Sequence, residues 1–294
     1  GRFLRAAIEK SRQSVAKLLK ASPAEIFFTS GGTESDNVAI RCTISGYQIK
    51  HAITSATEHK AVLHTLKELE EKGTLKLSLV KVDKKGSVDL VHLEELLANN
   101  SRSFVSLMHG NNEVATILKL KEVGELCQKH DALFHCDTVQ TMGHFPIDLS
   151  KIHVHFITGS AHKLHGPKGT GFLFVRKGTK VPAYVTGGAQ ERGMRGGTEN
   201  VMGIVGLAKA LEVAHQGMEE HAQYIKKIKA YFIEKLQISF PDIIFNGDSA
   251  DVENSLYTVL SVCFPATPMS SLLLFTLDLK GVSASGGSAC SSGS

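Results

Sequence analysis

The chain has 294 residues, 42% of them hydrophobic and 21% charged, with a formal net charge of +4. That suits one large globular domain with or without a smaller companion. No run of Lys and Arg interleaved with aromatics points to nucleic acid, no apolar stretch approaches the roughly 18 residues of a membrane span, and no signal-peptide pattern opens the chain.

The first element reads as an amphipathic helix, with Leu4, Ala7, Ile8, Val15, Leu18 and Leu19 at helical spacing. After Pro23, the run Glu25–Thr29 reads as a buried strand, and the turn Ser30-Gly31-Gly32 leads into a helix from about Thr33. The alternation continues with a strand at Ala52–Ser55, a helix at His59–Lys72, a strand at Leu75–Val82 and a helix at Val91–Asn99. Phe104–Met108 is a strand, Leu118–His130 a helix, and Leu133–Cys136, Phe156–Thr158 and Gly171–Val175 are further strands. One long helical pattern, Val201 to Leu236, bridges to a second region containing Tyr257–Phe264 and Leu272–Leu279. The pattern predicts an α/β fold: a mostly parallel central sheet with helices on both faces, over 1–217, and the start of a smaller C-terminal α+β domain, 218–294.

Ligands of such sheets sit beyond the carboxyl ends of the strands. Polar clusters follow strands here at Ser30–Thr33, His109–Glu113, Asp137–Gln140 and Ser160–Lys163. Gly31-Gly32 lets backbone approach a ligand, and the following helix offers free N–H groups suited to a phosphate, although a plain helix cap reads the same way. Lys163, just past a strand and before Gly166-Pro167-Lys168-Gly169, is placed to form a Schiff base; the bland alternative is a loop lysine facing water. Asp137, at the end of the preceding core strand, would be a buried carboxylate in want of a cation, or else a helix cap.

The five cysteines, Cys42, Cys127, Cys136, Cys263 and Cys290, are scattered and form no C-x-x-C pair. A disulfide framework or zinc cluster is not expected, and a reducing cytoplasmic compartment fits. Four of them fall in helix or strand patterns and read as small buried hydrophobes. Cys290 stands apart in a segment, 283–294, almost without bulky side chains, which cannot pack a core and should be mobile. The histidines show no metal-ligand spacing, His153 and His155 alternating along an expected strand, and no metal site is predicted.

Taken in order, Thr29–Asn37, Glu58-His59-Lys60-Ala61, Asn111-Asn112-Glu113, His135-x-Asp137-x-x-Gln140, Ser160-x-His162-Lys163-x-x-Gly166-Pro167-Lys168-Gly169, Gly188–Asn200 and Gly287–Gly293 resemble the cysteine desulfurase family of the NifS/IscS kind over nearly the whole chain. The resemblance implies a fold-type-I transferase dependent on pyridoxal 5'-phosphate that converts L-cysteine to L-alanine. It implies that Lys163 carries the cofactor and moves the substrate proton, that Asp137 pairs with the pyridine nitrogen, and that His59 stacks on the ring and acts as acid or base. Asn112 and Gln140 are implied at the phenolic oxygen, and Gly32, Thr33, Ser160 and His162 at the phosphate. Thr198 is implied to reach a neighbouring subunit's phosphate in a homodimer. Cys290 is implied to accept the sulfur as a persulfide and pass it to an iron–sulfur scaffold or sulfur-carrier protein. Ala161, Gly196 and Val114-Ala115 depart slightly from the family's usual residues. The family has further segments before Gly1 and after Ser294, the latter carrying the arginine that grips the substrate carboxylate, so the chain is expected to be part of a longer product and no residue here is named for that role. Rival readings are a selenocysteine lyase, an aminotransferase and a cofactor-binding scaffold on the same fold.

Overall fold

Arg2–Leu18 forms helix α1, whose buried residues Ile8, Arg12, Val15 and Ala16 recur on one face. The protein is seen here as a computed structural model, which describes residues 1–268 and 270–286; Cys290 lies outside the described residues. After α1 come β1 (Ile26–Thr29), α2 (Gly32–Asn37), a π turn at Val38–Cys42, and α3 (Thr43–Tyr47). Then follow β2 (His51–Ser55), α4 (Lys60–Glu71), β3 (Lys76–Val80), α5 (Leu90–Ala98), β4 (Phe104–Met108), α6 (Leu120–Lys129) and β5 (Leu133–Asp137). The main sheet is completed by β6 (Phe156–Ser160) and β7 (Gly171–Val175).

These seven strands lie in the order β1-β7-β6-β5-β4-β2-β3. β5, β4, β2, β3 and β6 pair in parallel, while β7 is antiparallel to both β6 and β1. All strands but β7 therefore point the same way, and their carboxyl ends share one edge.

Period-2 alternation divides the strand side chains between two cores. Ile53, Val105, Phe134, Ile157, Phe172 and Phe174 face α1, α5, α6 and α7 (Val201–Gln216), whereas Ala52, Phe104, Phe156, Leu173 and Val175 face the π turn, α3 and α4. A sheet covered on both faces buries nearly every position, as in β4, β6 and β7, whose residues are mostly apolar and whose Ser106 and Thr158 hydroxyls are hydrogen-bonded.

The single long helix expected from Val201 to Leu236 is two: α7 ends at Gly217, and α8 (Met218–Ser239) begins there. A glycine, with no side chain to pack and a large backbone entropy, is where such a run breaks most cheaply. Beyond α8 lie a two-stranded antiparallel sheet, β8 (Ile244–Phe245) with β9 (Val262–Cys263), and α9 (Leu273–Leu279). Two smaller expectations are corrected. Cys263 is exposed, unlike the buried Cys42, Cys127 and Cys136, because it stands on the two-residue strand β9 of the small second sheet and not in the main one. His153 and His155 precede β6 rather than alternate along it, and their rings meet edge to face 5.0 Å apart. Among the described residues no helix is long and apolar enough to cross a membrane.

Candidate active site

Because six strands share a direction, the segments leaving β1, β2, β4, β5 and β6 converge on one edge of the sheet. They enclose a cavity of about 250 Å³. Gly32, Thr33 and Asp36 enter it from α2, His59 from the start of α4, and Met108 and Asn112 from the end of β4. Asp137, Val139 and Gln140 come from the end of β5, and Ser160, His162 and Lys163 from the end of β6. The expected residues Gly32, Thr33, His59, Asn112, Asp137, Gln140, Ser160, His162 and Lys163 are thus brought together.

Local structure fixes several of them. Gly31 adopts φ 153°, a conformation open essentially to glycine, and so turns the chain from β1 into α2. At Gly32 a Cβ would come within 2.8 Å of Val139 Cγ2, so only glycine lets the start of α2 lie against the turn after β5. His59 caps α4: its Nδ1 accepts the Ala61 amide at 3.2 Å, which leaves the proton of the neutral ring on Nε2. Lys163 rides a short 3₁₀ turn, Ala161–Leu164, closed by His165 at φ 61° and by the Gly166 amide donating to the Ala161 carbonyl at 2.8 Å. His144 Nε2 meets the Lys163 carbonyl at 3.3 Å from outside the cavity. Ser160 Oγ and His162 Nδ1 are 2.9 Å apart, pre-arranging two polar groups beside Thr33.

The floor is acidic. Asp137 is 5% exposed, and its Oδ1 accepts the Val139 amide at 2.8 Å. Burial raises its pKa, and the neighbouring Asp36 charge raises it further. Burial likewise raises Asp36, against a smaller opposing effect from Thr158. Glu58 is pushed up to about 8 by burial; it accepts from Ser55 Oγ at 2.9 Å, while its Oε2 has no hydrogen bond. His135 is lowered to about 4 by burial and is neutral, held between Ser106 Oγ (2.8 Å) and Thr158 Oγ1 (3.0 Å). Cys136 is fully buried with its thiol pKa raised well above normal by burial, so it is no nucleophile.

The cavity fits pyridoxal phosphate. Its lining sets Thr33, Ser160 and His162 beside Gly32, a group suited to a phosphate, together with the amine of Lys163. It also holds the buried carboxyl of Asp137, whose Oδ1 accepts one amide and which a cationic ring nitrogen would partner. Asp36 and Glu58 stand inside the family-like motifs, yet the sequence assigns them no role: in Glu34-Ser35-Asp36-Asn37 an aspartate reads as ordinary helix-start polarity, and only its burial in the cavity lining marks it, while Glu58 is buried just outside that lining.

Thr198 does not line this cavity. It is exposed, in a loop pinned to the body of the domain, beside Thr29, Ser30 and Thr170. One pin is buried, where Arg12 makes two 2.8 Å bonds to Glu191, which also accepts the Phe28 amide at 2.8 Å; the other, Arg195 donating to Glu34 at 2.9 Å, is half-buried.

A seven-stranded, mostly parallel sheet with a lysine and buried aspartate at its carboxyl edge defines the class, and the sequence matches the class-V aminotransferase family over residues 2–294. The chain is 41% identical to cysteine desulfurase IscS of Dictyoglomus turgidum, over all of this chain and 74% of that one. A NifS-like protein of known structure superposes with a TM-score of 0.90 at 39% identity, covering 97% of this chain and 77% of that one. SspA, solved in complex with cysteine, superposes with a TM-score of 0.79 at 30% identity over 94% of this chain and 76% of its own. Within the class-V aminotransferases, the chain belongs to the cysteine desulfurase family.

Proposed function

We propose that the protein is a cysteine desulfurase that binds pyridoxal phosphate in the cavity at the carboxyl edge of its sheet. The observation that carries this reading is the convergence of Lys163, His59 and the buried Asp137 on one cavity of suitable size, in a chain of this family. In this reading Gly32, Thr33, Ser160 and His162 hold the phosphate, Asn112 and Gln140 address the phenolic oxygen, and Asp137 keeps the ring nitrogen protonated. Thr198 serves the phosphate of a second copy in a homodimer, for which its exposed, pinned loop is suited. The bound cofactor supplies an aldehyde for the substrate amine and an electron-withdrawing ring for the pair left at Cα.

The chain's own residues then do the following. Lys163 would hold the cofactor and, with its amine free, would take and return the proton at the substrate Cα. His59, with its proton on Nε2, moves a proton at the substrate. The Cys290 thiolate attacks the substrate Sγ: an S–S bond forms, the C–S bond breaks with its electron pair left to the carbon side, and Cβ takes a proton in place of the sulfur to give L-alanine. The sulfur stays on Cys290 as a persulfide, for delivery to an iron–sulfur scaffold or sulfur-carrier protein. The same reading divides the chain into a cofactor-binding unit, 1–217, and the start of a smaller one, 218–294, in a cytoplasmic enzyme.

The test is alanine formation from L-cysteine by the cofactor-loaded protein beside Lys163→Ala. Loss of turnover in the variant by well over the roughly 10²–10⁴-fold of a single acid–base group supports the role of Lys163. Absence of alanine from the wild type, with cofactor bound, sinks the reading.

A further inference from the structure

A carboxylate oxygen of Asp36, one of Asp137 and a ring nitrogen of His59 lie within 4.8 Å of one another in the wall of the cavity. Asp36 is 1% exposed, and its Oδ1 has no hydrogen bond. His135 Nε2 stands 3.4 Å from that oxygen, but it is engaged with Thr158 Oγ1. Asp137, by contrast, has an amide donating to its Oδ1. Two carboxylates this close in a buried site repel each other, which disfavours ionising both near neutral pH. Asp137, with a backbone amide on its Oδ1, is the better anion, because the Thr158 hydroxyl near Asp36 offsets only part of the cost of burying that charge.

We propose that Asp36 and Asp137 share a single negative charge, with Asp36 the member that keeps the proton, so that a cation in the cavity meets one charge and not two. The other groups facing Asp36 support this assignment. From β5 it faces His135, which is neutral, and from the start of α4 it faces His59 and Glu58, the latter also held neutral by burial. β1, β6 and β7 contribute no titratable side chain. Arg41, on the following π turn, is turned away to Asn37 and Glu68. Lys163 and His162 lie on other walls of the same cavity. The raised pKa of both aspartates agrees in direction. Asp36 is therefore a positioning residue: it reaches the chemistry by setting the charge of its neighbour.

That Asp137 meets a pyridine nitrogen rests on the cofactor reading above; the proton on Asp36 does not. The test begins with infrared spectra of the cofactor-free protein near pH 7. A protonated-carboxyl C=O band is expected that Asp36→Asn removes, that Glu58→Gln leaves in place, and that fades at alkaline pH. With pyridoxal phosphate added, Asp36→Asn should bind within about twofold of wild type near pH 7 and fall behind it by roughly tenfold near pH 9, where the wild-type Asp36 adds a second negative charge. A purely structural role would move neither the band nor the pH profile. No Asp36-dependent band, or a tenfold loss of affinity already near pH 7, would overturn the proposal. Should Asp36→Asn not fold, Asp36→Ser carries the same two expectations. If the wild type binds no pyridoxal phosphate, the cofactor reading fails while the infrared result still decides the state of Asp36.

Discussion

His59 touches two functions through its two nitrogens: Nδ1 caps α4 by accepting the Ala61 amide, and Nε2 carries the proton that chemistry would use. Substitution can separate them. His59→Ala should lose both turnover and about 0.5–2 kcal/mol of stability, the ordinary worth of a cap. His59→Asn should keep most of the stability while remaining inactive, and thermal melts run beside alanine assays check this. At this scale Lys163 and Asp137 were legible because each sits in a polar cluster following a strand, whereas His59 was reached only through the family resemblance. Asp36 and Glu58 were not legible, since a carboxyl near a helix start is ordinary in sequence and exceptional only once buried. Cys263 misled in the opposite direction, an apolar-looking strand cysteine that reaches solvent.

Among the elements, the loop carrying Thr198 depends on a buried ion pair between α1 and Glu191, whose side chains are only 4% and 3% exposed. Arg12 also donates to the Ile26 carbonyl at 2.6 Å, so α1, β1 and the loop are tied at one point. Removing one partner strands the other charge. Arg12→Met should cost about 3–5 kcal/mol in denaturant unfolding, and Arg12→Met with Glu191→Gln should recover much of that loss. A double variant as unstable as the single one would show that Arg12 acts through its packing alone. Sequence reading saw Glu191 only as one letter of a motif, because its partner lies 179 positions away. The π turn at Val38–Cys42 and the break at Gly217 were equally invisible, as both preserve helical spacing on either side.

For the whole molecule, the alternation of apolar strands with amphipathic helices was enough to give a mostly parallel sheet and to point to its carboxyl edge, where the candidate cavity lies. The reversed direction of β7 was not legible: in Gly-Phe-Leu-Phe-Val every side chain is buried, and such a strand carries no mark of its orientation. The buried floor of the site also sets how stability responds to pH. Glu58 has its folded-state pKa raised to about 8, above the ordinary 4.5 of the unfolded chain. The folded state therefore holds the extra proton, and the stability Glu58 contributes is fully present below the unfolded value and is lost as pH rises toward about 8. The cofactor-free protein should weaken across that window by up to a few kcal/mol from this group, and Glu58→Gln should flatten the decline, raising Tm over wild type more near pH 9 than near pH 5. An unchanged profile would mean that Glu58 is ionised when buried.

The central claim is that sulfur passes from L-cysteine to Cys290 and leaves L-alanine behind. It is tested most directly by giving the cofactor-loaded protein L-cysteine without any acceptor, then measuring alanine and the mass of the peptide containing Cys290. The account predicts one sulfur atom added to that peptide for each alanine released in the first turnover, and neither product from Cys290→Ser. Alanine formed at the wild-type rate by Cys290→Ser, or alanine without added sulfur on the wild-type peptide, would contradict it.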